Sequence, residues 1–179
     1  TDGVSVSDEN ESGAGAGTGW RIDVVDRTGA CPLGEDRLLE VAERVLRDER
    51  VAEVEVSVAI VDDLEMTRLH AEFLQIETPT DVLTFPFEAD SLATWSGPLD
   101  ALRGEGRRIV GEVVIGGEMA RRVAGELGAD AGEELILYLV HGLLHLCGYD
   151  DLDDEQVVEM RRREAELLEL LAVTARVDE

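Results

Sequence analysis

Two spacings of apolar residues alternate along this chain, one of two residues and one of three to four, and they predict strands and helices in turn. Trp20-Arg21-Ile22-Asp23-Val24-Val25-Asp26 has the alternation and branching of a strand, and Pro32-Leu33-Gly34 closes the loop after it. From Glu35 to about Arg50, Leu38, Leu39, Ala42, Val45 and Leu46 recur at helical spacing with charges between them. That is the pattern of a surface helix with one buried stripe. Glu53 to Val61 alternates strictly, with Val54, Val56, Val58 and Ile60 on one face. Asp62 and Asp63 then offer a cap for a helix reaching about Leu74.

Thr78-Pro79-Thr80-Asp81 reads as a loop and Val82 to Phe87 as a third strand. Pro86 has no N–H to give to a ladder, which places this strand at a sheet edge. Gly97-Pro98 and Gly104-Glu105-Gly106 make residues 88 to 108 a long mobile loop before a fourth strand at Ile109 to Ile115. A helix runs from Gly116-Gly117 to about Gly128, and Asp130 caps another that begins near Ala131. The stretch Leu135 to Val140 is apolar on every side, so this helix must lie inside the domain. Asp153 and Gln156 stand at capping-box spacing before a long amphipathic helix through Val157, Met160, Leu167 and Leu170.

The chain of 179 residues is 44% hydrophobic and 32% charged, enough for one sizeable core. Residues 1–19, rich in Gly, Ala, Ser and acid, read as a disordered tail, residues 20–173 as one domain, and 174–179 as a short C-terminal tail. The net charge is −25, and all 16 basic residues are arginine. Such a surface repels nucleic acid in dilute salt and is screened in concentrated salt, which suits a salty cytoplasm or a cationic partner. Cys31 and Cys147 fit no paired motif and point to a reducing compartment. With no run of eighteen apolar residues and no basic-then-apolar leader, the expectation is a soluble cytoplasmic protein.

Candidate chemistry concentrates in His141-Gly142-Leu143-Leu144-His145-Leu146-Cys147-Gly148-Tyr149-Asp150-Asp151, which holds two of the three histidines. Four residues apart on a helix, His141 and His145 aim at one point. Gly148 can turn the chain so that an acid just beyond the helix returns as a third ligand. Two imidazoles and a carboxylate leave a position open for water, as catalytic zinc sites do. Gly142 stands where the HExxH zinc proteases carry their glutamate base, which argues against a protease.

The same residues, preceded by Pro79-Thr80-Asp81-Val82-Leu83-Thr84-Phe85-Pro86-Phe87 and Gly111-Glu112-Val113-Val114-Ile115, resemble the YbeY family of bacterial rRNA maturation endoribonucleases. The resemblance spans roughly residues 20–172. It implies an α+β fold, with a small mixed four-stranded sheet packed against about five helices and a central buried metal-binding helix. It also implies a zinc ion and single-strand-specific cleavage of RNA in 16S rRNA 3′-end maturation and ribosome quality control. A ribosomal subunit or ribosomal protein is the implied partner. Two positions depart from the family pattern: Asp151 replaces a third histidine, and Phe73-Leu74 replaces Tyr-Arg. Aspartate is a competent zinc ligand, although the set also admits iron or manganese. Leucine does not replace a guanidinium that could hold phosphate. Arg68, Arg121 or Arg122 are candidates to compensate.

These readings place the metal on His141, His145 and Asp151, with Asp150, Asp81 or Glu112 as the acid that takes or relays a proton. Water activated by the metal, or the RNA's own 2′-hydroxyl, is the nucleophile. Arg103, Arg107 and Arg108, the basic cluster nearest the motif, are candidate phosphate contacts, and Phe85 and Phe87 base-stacking residues or core ones. The alternatives are a ribosome-assembly binding protein that keeps the metal but has lost cleavage, a hydrolase of peptides or small molecules, and an iron oxygenase.

Overall fold

The computed structural model describes residues 19–87 and 101–177. In chain order its elements are β1 (Trp20–Asp26), α1 (Glu35–Asp48), β2 (Glu53–Val61), α2 (Asp63–Leu74), β3 (Val82–Pro86), β4 (Arg108–Gly116), α3 (Gly117–Leu127), α4 (Ala131–Cys147) and α5 (Asp154–Val177). The strands lie in the order β1-β2-β4-β3, the first three parallel and β3 antiparallel to β4. This is the expected α+β fold with a mixed four-stranded sheet and five helices, and the proline-bearing strand is at an edge.

The strict alternation in β2 decides which face carries the main core. Val54, Val56, Val58 and Ile60 are each no more than 2% exposed and face α1 and α4, with α5 packed beyond them. The opposite face holds a smaller cluster of Ala59, Val61, Met66, Leu83 and Val114 beside α2. Helix α4 is apolar all round because it is surrounded: Leu135, Leu139, Leu143 and Leu144 are fully buried. Its start is fixed by Asp130, whose Oδ1 accepts the Glu133 N–H at 3.0 Å. Asp62 caps α2 in the same way, accepting the Glu65 N–H at 2.8 Å.

Helix α1 ends at Asp48, two residues before the boundary suggested by periodicity, because Arg50 takes a left-handed backbone conformation (φ 58°). All of the expected tail at residues 1–19 except Gly19, and most of the long loop, residues 88–100, lie outside the described residues. The end of that loop is packed against the protein: Arg103 is 3% exposed and its guanidinium lies 4.7 Å over the Tyr149 ring. Among the described residues no helix is long and apolar enough to cross a membrane.

One buried carboxylate ties this end of the molecule together. Glu49 is fully buried and accepts hydrogen bonds from the Tyr149 hydroxyl (2.9 Å), Arg163 Nε (2.6 Å) and the Gly104 N–H (3.1 Å). Arg163, 5% exposed, also reaches Asp48 and Glu166. The cluster joins the end of α1, the turn before β4, the residue after the α4 cap, and α5. Removing one partner leaves an uncompensated buried charge. Arg163→Met is therefore expected to lose about 3–5 kcal/mol of stability in urea denaturation, and an unchanged midpoint would show that the network is not structural.

Candidate metal centre

One helical turn separates His141 from His145 on α4, and their Nε2 atoms lie 3.0 Å apart with the rings edge to face. Gly148 ends the helix at φ 105°, a conformation closed to most side chains. Its N–H and that of Tyr149 satisfy the His145 and Leu144 carbonyls at 3.0 Å each. Beyond it, Asp150 Oδ1 accepts the Asp151 N–H at 2.8 Å and bends the chain back toward the helix. Asp151 Oδ2 consequently stands 3.7 Å from His141 Nε2 and 3.6 Å from His145 Nε2.

A residue from α5 orients the first imidazole. Glu164, on a side chain 14% exposed, accepts the His141 Nδ1–H, which leaves the lone pair on Nε2 facing the other two ligand atoms. Burial works against protonation of both rings. At His141 the hydrogen bond and charge of Glu164, with Asp151 and Asp81 behind it, outweigh burial, and its pKa is raised. At His145 burial and the adjacent His141 prevail over Asp151 and Asp150, and its pKa is lowered.

The three ligand atoms lie within 4.8 Å of one another. Ligands about 2.0–2.2 Å from a tetrahedral ion are separated by roughly 3.3–3.6 Å, so two nitrogens and one oxygen at these spacings fit a divalent metal. Two clefts open from the cluster and share Asp81, His141 and Asp151. One, of about 540 Å³, runs between α3 and α5 and includes Tyr138 and Arg161. The other, of about 490 Å³, runs along β3 and includes Phe73, Leu74 and Phe85.

The family model for endoribonuclease YbeY matches residues 25–172. This chain belongs to the YbeY endoribonuclease family. It is 36% identical to the Corynebacterium diphtheriae endoribonuclease YbeY over 83% of this chain and 74% of that one. To that of Bacillus licheniformis it is 36% identical over 82% and 92%. The Geobacter metallireducens protein is 33% identical over 87% and 97%. The solution structure of a Thermotoga maritima protein shares the fold, with a TM-score of 0.61 at 24% identity over 88% of this chain and 93% of that one.

Both departures from the YbeY pattern fall at this centre. Asp151 stands in the cluster that could hold a metal, and Leu74 lines the β3 cleft with its side chain half exposed. Of the three acids suggested by sequence, Asp81 alone lines the clefts, held by its own bonds from Val82 N–H (2.9 Å) and Thr80 Oγ1 (3.2 Å). The loop before it is fixed by the third histidine, His70, whose Nδ1 is 2.7 Å from the Thr78 carbonyl. Asp150 is engaged in the turn. Glu112 pairs with Phe85 across the sheet and, alternating with Val113, points to the face away from α4.

The arginine cluster is used inside the protein. Arg107 donates to the Cys147 carbonyl at 2.7 Å, Arg103 to that of Gly148 at 3.4 Å, and Arg108 pairs with Glu53 and Glu55. They brace the α4 C-terminus and the sheet instead of lining either cleft. Phe85 does line the β3 cleft, partly buried, with Phe73 edge-on at 4.9 Å. Sequence reading passed over Glu164, although a carboxylate between Met160 and Leu167 on a buried stripe is a signal in itself.

Glu164→Gln removes the charge that holds the His141 pKa up while keeping a hydrogen-bonding group. Histidine NMR titration of the metal-free protein is expected to show that pKa falling, and metal affinity to weaken about 10–100-fold. Because the folded-state His141 pKa is raised, the proton competes with metal from a higher pH than at an ordinary histidine. Affinity is therefore expected to decline as pH falls through that raised value, which metal titrations at a series of pH values measure.

Proposed function

We propose that this chain is a zinc-dependent, single-strand-specific endoribonuclease that matures the 3′ end of 16S rRNA and serves ribosome quality control in the cytoplasm, with a ribosomal subunit or protein as partner. The observation that carries this reading is the convergence of His141, His145 and Asp151 at the meeting of two clefts, in a chain of the YbeY family. A bound zinc ion supplies Lewis acidity toward a phosphodiester.

The chain's own residues supply positioning and proton handling. Glu164 holds the Nδ1 proton of His141 and so keeps Nε2 free as a ligand. The carboxylate of Asp81, which lines both clefts, accepts a proton from the attacking hydroxyl group, whether of water or the ribose. Phe85, with Phe73 bracing its ring, offers an unpaired base an apolar surface. Folded RNA helices keep their bases stacked away from such a surface, which favours single-stranded substrate.

Leu74, in place of the family's arginine, supports a second reading, a ribosome-assembly factor that binds metal and RNA without cleaving. Incubation with single-stranded RNA separates the two. Cleavage is expected with the zinc-loaded protein and not with His141→Ala. Asp151→Ala is expected to lose zinc and activity together, whereas Asp151→His retains both. Binding without cleavage across several divalent metals and salt concentrations would favour the second reading, and equal zinc in all three Asp151 forms would remove that residue from the site.

A further inference from the structure

An RNA strand entering this centre meets a hostile field. The α3–α5 cleft alone brings Asp81, Glu134, Asp151 and Glu164 to the substrate, on a chain of net charge −25. Phosphates approach such a site only if a cation in it is available to them. Most candidate cations are committed elsewhere. Arg68 is paired with Glu65 and Glu72, Arg122 with Asp63, and Arg121 donates to the Ala30 carbonyl. Arg162 is paired with Glu159 and Glu166, and Arg163 belongs to the buried Glu49 cluster.

Arg161 is different. It is exposed, lines the α3–α5 cleft with His141 and Asp151, and makes no ion pair or hydrogen bond among the described residues. Its helix neighbours at 162 and 163 point their guanidiniums at carboxylates, while Arg161 stands among four acids and bonds to none. Among the described residues, the β3 cleft across the ligand cluster has Asp81, the two histidines and Asp151 as its ionisable groups. Among those residues the two halves of the site therefore differ, apolar along β3 and carrying a guanidinium on α5.

We propose that Arg161 is the phosphate-binding residue of this site, its guanidinium holding a backbone phosphate of the RNA in the α3–α5 cleft, adjacent to the phosphodiester at the ligand cluster. The proposal rests on the endoribonuclease reading and adds to it the direction of the strand: backbone toward α5, bases toward Phe73 and Phe85. A guanidinium presents paired donors that match phosphate oxygens, and it remains charged at any pH the protein meets. It also supplies a charge for which Leu74 leaves the β3 side without a source.

The test compares cleavage of a single-stranded oligoribonucleotide by the zinc-loaded protein, Arg161→Gln, Arg161→Lys and, as a control, Arg44→Gln on the exposed face of α1. Arg161→Gln is expected to raise KM about tenfold with kcat changed less than about twofold. The slope of log(kcat/KM) against log salt is expected to become shallower by about 0.7, the value of one single-strand phosphate contact. Zinc content and thermal midpoint stay unchanged, Arg161→Lys recovers most of the loss, and Arg44→Gln behaves as the unsubstituted protein. An Arg161→Gln protein with the KM and salt slope of the Arg44 control overturns the proposal while leaving the endoribonuclease reading intact. An unsubstituted protein that cleaves no RNA overturns both.

Discussion

The candidate centre depends on a carboxylate that never touches it. Glu49 accepts from Tyr149, two residues before Asp151, and from Arg163, the residue before Glu164. One buried anion thus registers the turn that returns the third ligand and the helix that orients the first. Buried charge of this kind gives little net stability, since desolvation offsets much of the attraction. Its effect is geometric: it permits few arrangements of α1, α4 and α5 in which Glu49 and Arg163 are both satisfied. The metal cluster sits at the open end of that constrained assembly.

The helix and strand pattern was legible because burial here follows spacing closely. The β2 valines and Ile60 alternate inward, and α4 is apolar on all sides because it is enclosed on all sides. The convergence of His141, His145 and Asp151 was legible for a related reason: helical geometry fixes His141 against His145, and a glycine just past the helix predicts a turn, which Gly148 makes. Other parts were hidden. Whether Arg107 meets a substrate or the Cys147 carbonyl depends on which helix end the fold brings beside it, information absent from local sequence. Glu49 is by sequence one more acid at the end of a surface helix, and it is buried by Tyr149, Gly104 and Arg163, which come from three other parts of the chain. The position of Glu112 was hidden for a simpler reason, since proximity in a motif says nothing about which sheet face a strand residue occupies.

The electrostatics of the surface follow from an all-arginine supply of cations in an acid-rich chain. Guanidiniums form geometrically defined pairs, and here they neutralise carboxylates along α2, α5 and the start of β2 and β4. Such local pairing leaves a strongly negative molecule with few places where a polyanion is welcome. Among the described residues no broad basic groove stands beside the candidate centre, in contrast with proteins that attract nucleic acid over a wide surface.

Gly142 carries a consequence for how this centre can change over evolutionary time. A Cβ there would fall 2.6 Å from Val113 Cγ1 and 3.0 Å from Val82 Cγ2. The helix is pressed so closely to the sheet that the second position of the histidine motif has no room for a side chain. A glutamate base of the protease type is thus unreachable by one codon change: the valines beneath must shrink first, at a cost in core packing. Both departures from the family pattern, Asp151 and Phe73-Leu74, lie away from this contact, where a side chain of another size meets open cleft instead of the sheet.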